Sequence, residues 1–313
     1  MFLPGAGRSR ILCLSPAARK GIGYHLGVPA LSVVIPTHRR PELLARSLRH
    51  LAAQTVAADL EVIVVSDGPD DNAKQSAACV TVGGRAVRFL EIPKCQQGVA
   101  RNRGVELATA PLTLFCQDDI FLDPHACATH LAAHAAHPGA LVLGFTTWDP
   151  ACGVTPVMEW LEATGWQFGY PQLAPYAHGP VPAAIQHRYT YTSHLSLPTE
   201  LAKRVAFRED VTLYGWEDIE WGLRLARTGA PLIYEPDAKA LHHHHLELAD
   251  SLKRMETIGR SAVHIESIAP ELHVTPRGWK AWAYVVLSWL PTMRGRHSWA
   301  FRKGLMSGLA NNS

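Results

Sequence analysis

Two adjacent carboxylates, Asp118 and Asp119, end the run Leu112-Thr113-Leu114-Phe115-Cys116-Gln117. A buried strand that runs into two acids meets a cost, because ionised carboxylates lose hydration and repel one another side by side. A metal ion, a basic side chain or a helix N-terminus at the strand end offsets that cost. The competing reading is that the pair opens a surface loop, where Asp is common. A second acidic pair, Glu217-Asp218, opens an apparent helix after Gly215-Trp216, and four consecutive histidines occupy positions 242–245. Carboxylates with water and phosphate oxygens hold Mg2+ or Mn2+, and imidazole is acceptable to Mn2+. Such an ion cancels the charge of a departing diphosphate, while a carboxylate clear of the metal can take a proton from an incoming hydroxyl. Glu217 and Asp218 also suit a helix N-terminus on dipole grounds alone. In a strand alternate residues face opposite ways, so His242 and His244 share one face and His243 and His245 the other. At most one pair reaches a given site.

These groups need elements to position them. Leu31-Ser32-Val33-Val34-Ile35 reads as a buried strand broken by Pro36-Thr37-His38-Arg39-Arg40. Pro41 suits a first helical turn, and Leu43, Leu44, Leu48 and Leu51 form one apolar face. Further strands are expected at Glu61–Ser66, Ala86–Ile92, Leu112–Cys116 and Leu141–Thr147, with helices after Gly98–Gly104 and over Pro124–Ala135. Alternating strands and helices with continuous apolar strands predict an α/β fold, a mostly parallel sheet covered on both faces. Ligands in such sheets sit beyond the carboxyl ends of the strands, where Thr37, Asp67 and Asp118-Asp119 all fall. From Asp149 to Tyr191 the periodicity dissolves into Gly, Pro, aromatic and His residues, which fits a binding loop as well as an unrecognised helix and loop. The pattern returns as a strand over Thr192–Leu197, a helix from Thr199, and a helix from Tyr214 stopped by Gly229. Two strands, Pro231–Tyr234 and Lys239–His245, and a helix over Leu248–Val263 complete it.

The bulk properties exclude several classes. The chain has 313 residues, 47% hydrophobic and 18% charged, which is globular composition. A net charge of +3 implies no nucleic-acid partner. The six cysteines form no CxxC pair and predict reduced thiols in a cytoplasmic protein rather than a disulfide framework. Residues 1–30 carry Arg8, Arg10, Arg19 and Lys20 with no acid and read as a poorly ordered basic extension. The apolar run Trp279–Leu290, followed by Arg294, Arg296, Arg302 and Lys303, is too short to span a membrane. It reads as a helix packed on the core or, through segment 279–303, as a peripheral contact with an anionic membrane surface.

In motif order the chain resembles the family 2 glycosyltransferases, which have the GT-A fold, from Leu31 to Val263. Val33-Val34-Ile35-Pro36-Thr37 is similar to the opening strand and donor loop, and Val64-Val65-Ser66-Asp67-Gly68 to the strand whose Asp meets the nucleobase. Gly98-Val99-Ala100-Arg101-Asn102-Arg103-Gly104 resembles the segment near ribose and diphosphate. Gln117-Asp118-Asp119 stands at the D-x-D signature and Gly215-Trp216-Glu217-Asp218 at the E-D acceptor motif. Gln117 departs from the three-acid form of the signature. The resemblance implies donor contacts from Pro36, Thr37, Arg39, Asp67, Arg101, Asn102 and Asp118. It implies metal ligation of Mn2+ or Mg2+ by Asp119 and His242, with His244 in reserve. Asp218 would be the base, and Glu217 and Trp216 would meet the acceptor. It further implies a 31–265 GT-A domain, split into a nucleotide-sugar half, 31–148, and an acceptor half, 149–265, with a helical basic tail at 266–313.

The implied reaction moves a sugar from a nucleotide-diphosphate-sugar to the hydroxyl of a sugar, lipid-linked sugar or other acceptor, as in cell-surface polysaccharide or glycoconjugate synthesis. One base and no second nucleophile imply inversion at the anomeric carbon. Two other classes compete, with a plain metal-binding protein built on the histidine run a remote third. A sugar nucleotidyltransferase needs a Gly-rich basic loop after the first strand, and Pro36–Arg40 contains no glycine. A catalytically silent sugar-nucleotide-binding scaffold does not need Asp119 and Asp218 together.

Overall fold

The computed structural model describes residues 27–211 and 213–310, so most of the basic extension expected at 1–30 lies outside the described residues. β1 (Leu31–Thr37) is buried along its whole length, and α1 (Pro41–Ala52) starts on Pro41 and buries Leu44, Leu48 and Leu51. β2 (Leu60–Asp67), also fully buried, leads to α2 (Asp71–Ala78), whose first turn is capped by the Asp70 carboxylate. A small hairpin, β3 (Thr81–Val82) and β4 (Arg85–Ala86), precedes β5 (Arg88–Ile92), so the single strand expected over Ala86–Ile92 is divided. α3 (Gln97–Leu107) takes in the Gly98–Gly104 motif itself. Then come β6 (Leu112–Cys116), β7 (Ile120–Leu122), α4 (Ala126–Ala136) and β8 (Leu141–Trp148).

The stretch without sequence periodicity is built from short pieces, chiefly α5 (Pro156–Thr164), α6 (Tyr170–Leu173) and β9 (Gly179–Val181). β10 (His194–Pro198), α7 (Thr199–Arg204) and α8 (Glu217–Ala226) follow. β11 (Leu232–His242) is one strand where two were expected, and it ends at His242, so His243–His245 lie beyond the strand in which they were expected. Its pairing with β8 jumps between Glu235 and Lys239 while β8 advances only from Gly144 to Phe145. Three extra residues (239 − 235 − 1), beginning with Pro236, are absorbed there, and the polar Glu-Pro-Asp sequence hid the continuity. α9 (Leu248–Ile268), α10 (Trp279–Leu287) and α11 (Met293–Ala310) close the chain.

The strands form one nine-stranded sheet in the order β5-β2-β1-β6-β10-β8-β11-β7, with β9 beside β11. β5, β2, β1 and β6 pair in parallel, β10 runs antiparallel to both β6 and β8, and β11 is parallel to β8. Six strands therefore point one way, and β7, β9 and β10 oppose them. One core lies between β1, β2, β6 and helices α1 and α2. A second packs Phe115, Phe207 and Trp221 together, with Phe207 stacked on Trp221 at 4.4 Å. The helical tail is not a separate layer. α11 lies against α9 where a Cβ on Gly259 would sit 2.1 Å from the Phe301 carbonyl oxygen, and one on Gly304 2.0 Å from that of Glu256. No helix among the described residues is long and apolar enough to cross a membrane.

Two buried histidines flank one hydroxyl, and a third packs against the first. The Ser196 Oγ lies 2.8 Å from His130 Nδ1 and 2.8 Å from His134 Nε2, and the His130 and His194 rings are 4.9 Å apart. Burial pushes His134 and His194 down to about 4 and holds His130 well below its ordinary value. The folded protein keeps them neutral, whereas the unfolded chain takes up their protons once the pH falls below about 6.5. Each therefore removes stability as acid is added, by up to about 1.4 kcal/mol per pH unit between the two pKa values. Asp118 and Asp218, both raised to about 6, work in the opposite sense over the same range. The difference against His134→Gln is the measurable quantity. Urea unfolding should show wild type losing stability relative to the variant as pH falls toward 4.5, by roughly 1–3 kcal/mol. A pH-independent difference would mean His134 is protonated in the fold.

Candidate active site

A cleft of about 970 Å³ opens beyond the carboxyl ends of β1, β2 and β6 and is lined by Pro36, Thr37, Asp67, Asp118 and Asp119. His242 and His244 line it beside Asp119, and Arg101, Trp216, Glu217 and Asp218 line it as well. Strand ends place the first group, since a parallel sheet leaves its C-terminal loops at one edge. The N-terminus of α8 places the second acidic pair. Gly215, at φ 123°, makes the turn that brings Glu217 back to accept a hydrogen bond from the Gly215 amide at 2.9 Å.

The two acids after β6 are both buried, and a basic side chain meets them. Arg40 Nη1 lies 2.9 Å from Asp119 Oδ2 and 3.3 Å from Asp118 Oδ1, while the Thr37 hydroxyl donates to Asp118 Oδ2 at 2.8 Å. Burial and the neighbouring Asp119 charge push Asp118 up to about 6. Burial acts on Asp119 in the same direction, but His242, His244 and Arg40 outweigh it and hold this carboxyl well below the usual range.

Asp119, His242 and His244 offer ligand atoms within 4.8 Å of one another. His242 Nε2 and His244 Nδ1 stand 3.6 Å and 3.7 Å from Asp119 Oδ2. Asp119 Oδ1 and His242 Nδ1 are buried and have no hydrogen-bond partner among the described residues. One carboxylate and two imidazoles suit Mn2+ better than the all-oxygen preference of Mg2+, so the donor set fits a divalent ion of the Mn2+ type. The alternation of the histidine run is what makes this possible. His243 faces the other way, with Nδ1 2.6 Å from Asp149 Oδ2 and Nε2 2.9 Å from Arg46 Nη1. His245 turns to the carbonyls of Cys152 and Gly153. The Asp149 amide donates to the His242 carbonyl at 3.0 Å, so Asp149 fixes both the backbone and the side-chain phase of the run.

Asp218, at the N-terminus of α8, lines the same cleft. The Thr192 hydroxyl reaches both its oxygens, at 2.9 Å and 3.0 Å, and Arg101 Nη1 is 3.6 Å away. The carboxylate retains 29% exposure toward the cleft. Desolvation lifts it to about 6 against the opposing pull of Arg101, with the Glu217 charge adding to the rise. A carboxylate of raised pKa, locked in orientation and open on one side, is suited to taking a proton. Arg101 is 1% exposed, lies over the Phe207 ring at 5.4 Å, and keeps Nε and Nη1 without hydrogen bonds. Asp67 accepts from the Cys95 amide and pairs with Lys94 at 3.6 Å.

Two expected donor residues lie elsewhere. Arg39 is exposed at φ 53° and does not line the cleft, and its neighbour Arg40 takes the place at the acids. Asn102 exchanges two hydrogen bonds with the Phe207 backbone, at 2.9 Å and 2.8 Å, and so clasps α3 to that segment. Successive helix residues point about 100° apart, so Arg101 and Asn102 cannot both face the cleft. Sequence reasoning missed Arg40, Thr192 and Asp149. Only Arg40 carried a signal, as the second cation beside a strand end.

Residues 32–187 match the family model described as glycosyl transferase family 2. The chain is 33% identical over 275 residues to a validoxylamine A glucosyltransferase of Streptomyces hygroscopicus subsp. jinggangensis (strain 5008), covering 80% of this chain and 65% of that protein. It thus spans about two thirds or less of the curated relatives it matches over most of its length. Among solved structures, a mannosyltransferase from Pyrobaculum calidifontis, in complex with GDP-Man and Mn2+, superposes with TM-score 0.60 at 14% identity, over 92% of this chain and 89% of that one. TarS 1-349 of S. aureus in complex with UDP gives 0.52 at 15% identity, over 90% and 91%. At such identities the likeness speaks for the fold, which is GT-A. Through the matched region and the sheet built on it, the chain belongs to glycosyl transferase family 2.

Proposed function

We propose that the protein transfers a sugar from a nucleotide-diphosphate-sugar to an acceptor hydroxyl, with inversion, in the assembly of a cell-surface polysaccharide or related glycoconjugate. The observation that carries this reading is that Asp218, the Asp119–His242–His244 group and Asp67 all line one cleft. Residues 31–148 supply the donor side and 149–265 the acceptor side. Asp67 binds the base, while Thr37 and Arg40 orient Asp118 toward the ribose. Asp119, His242 and His244 would hold Mn2+ or Mg2+, which when bound neutralises the diphosphate as it departs. Asp218 removes the hydroxyl proton, held to its task by Thr192 and Arg101, and Trp216 and Glu217 meet the acceptor. The names of the similar proteins, a glucosyltransferase and a mannosyltransferase, support a hexosyl donor. Among the described residues Cys95, Cys116, Cys127 and Cys152 are free thiols but Cys79 is disulfide-bonded, so the expectation of reduced thiols fails at that position, and segment 279–303 suits peripheral contact with the inner face of a membrane.

The test is nucleoside-diphosphate release from UDP-, GDP- and dTDP-sugars with Mn2+, with and without acceptor. Acceptor-stimulated release is expected, and pyrophosphate turnover or binding without release would overturn the reading. The pH profile adds a second check. With Asp218 at about 6, kcat/KM should be level above that value and fall about tenfold per pH unit below it. A profile level down to about pH 5 would remove Asp218 as the base.

A further inference from the structure

The helix α10 buries none of its residues completely. Its Trp279, Trp282 and Val286 fall at i, i+3 and i+7, one stripe, and are 75%, 69% and 43% exposed. Trp289 and Leu290 continue that stripe past the helix end, at 82% and 46%. On α11 a second exposed row holds Trp299, Lys303, Met306 and Leu309. The opposite side of α10 is the packed one, where Tyr284 meets Phe301 at 5.5 Å. The expectation of a terminal helix packed on the core therefore holds for one face and fails for the other.

Charge decides what covers the aromatic face. From residue 272 to residue 313 the sequence contains Arg277, Lys280, Arg294, Arg296, Arg302 and Lys303 and no acid. Arg277 and Lys303 pair with Glu266 and Glu256 on α9, which leaves Lys280, Arg294, Arg296 and Arg302 without a carboxylate partner among the described residues. Tryptophans flanked by unpaired cations fit the interfacial zone of a bilayer, rings at the headgroup level and cations on anionic phosphates. A second copy of the chain would set this cationic surface against itself. The cleft also reaches this region, since Met255, Ile258, Val274, Tyr284 and Phe301 line it together with Trp216 and Asp218.

We propose that the α10–α11 face docks on an anionic lipid surface and thereby presents the apolar arm of the cleft to an acceptor carried in that surface. This deepens the membrane contact suggested above. It rests on the transferase reading only for the identity of the acceptor end, while docking itself is independent of catalysis.

The experiment is co-sedimentation of the full chain with vesicles of phosphatidylcholine alone and of phosphatidylcholine with phosphatidylglycerol, with nucleotide binding measured in parallel. Wild type should partition onto the anionic vesicles, weakly onto the neutral ones, and release in high salt. The variant W279S/W282S/W289S should lose partitioning by about tenfold or more with nucleotide affinity unchanged. Should that variant fold poorly, R294E/R296E, at two exposed positions, must show the same loss. Absence of wild-type partitioning, or undiminished partitioning of both variants, overturns the proposal. So does concentration-dependent self-association without vesicle binding, which would make a second copy the occupant. Failure of sugar transfer with vesicle binding intact would instead count against the transferase reading.

Discussion

Replacing Asp218 by Asn is expected to lower sugar transfer on the order of 10²–10⁴-fold while nucleotide binding persists. The substitution keeps the shape of the side chain and leaves an oxygen for the Thr192 hydroxyl, but it removes the basic oxygen that takes the acceptor proton in the proposed mechanism. The proposed donor carboxylates Asp67 and Asp118 are untouched, because they sit at strand ends and make no contact with Asp218. A structural effect comes with the catalytic one. Arg101 is buried, and Asp218 is the carboxylate paired with it, so the Asn variant leaves a cation short of its partner. That costs stability, at most about 3 kcal/mol given that Asp218 still meets solvent. The two effects separate by experiment: a thermal shift reports the loss of the ion pair, nucleotide titration reports the intact donor side, and single-turnover transfer reports the chemistry. Near-normal turnover in a folded variant would take Asp218 out of the mechanism.

The second large effect belongs to Asp119→Ala. The variant removes the carboxylate placed against both imidazoles, and two histidines alone make a poor site for a hard divalent cation. Mn2+ affinity, read from the free-ion EPR signal, should weaken by at least about 100-fold, and transfer should fall with it. Arg40 keeps a partner in Asp118, so the fold should tolerate the change. Asp218→Asn should leave Mn2+ affinity where it was, which makes the pair of variants a test of the division of labour across the cleft. Unchanged Mn2+ binding in Asp119→Ala would place the ion elsewhere.

The sequence was most informative where one face of an element decides everything. The β-branched runs of β1 and β2 are buried throughout, and such runs have few alternatives to a central strand. The histidine alternation was legible from the two-residue period of a strand, although β11 ends at His242 and only the alternating side-chain phase carries on to His244. What escaped notice depends on partners far away in the chain. Thr192 matters only because α8, 26 residues later, delivers Asp218 to it. Asp149 and His243 are 94 residues apart. Arg39 and Arg40 are indistinguishable by composition, and a left-handed backbone at Arg39 sends only the second toward the acids. The 149–191 stretch lacked periodicity because its helices and strand are shorter than the windows over which a period can be counted.

The irregular pairing of β11 has a bearing on how this chain tolerates insertion and deletion. Between the break and His242 the strand is zipped residue by residue to β8, Lys239 to Phe145 through His242 to Trp148. Whatever length change the excursion at 236–238 swallows never reaches the histidines. One that it passes on shifts them by a single step and turns His243 inward in place of its neighbours. Among descendants of this gene, length variation upstream of Lys239 should therefore be common and cheap, and between Lys239 and His244 nearly forbidden.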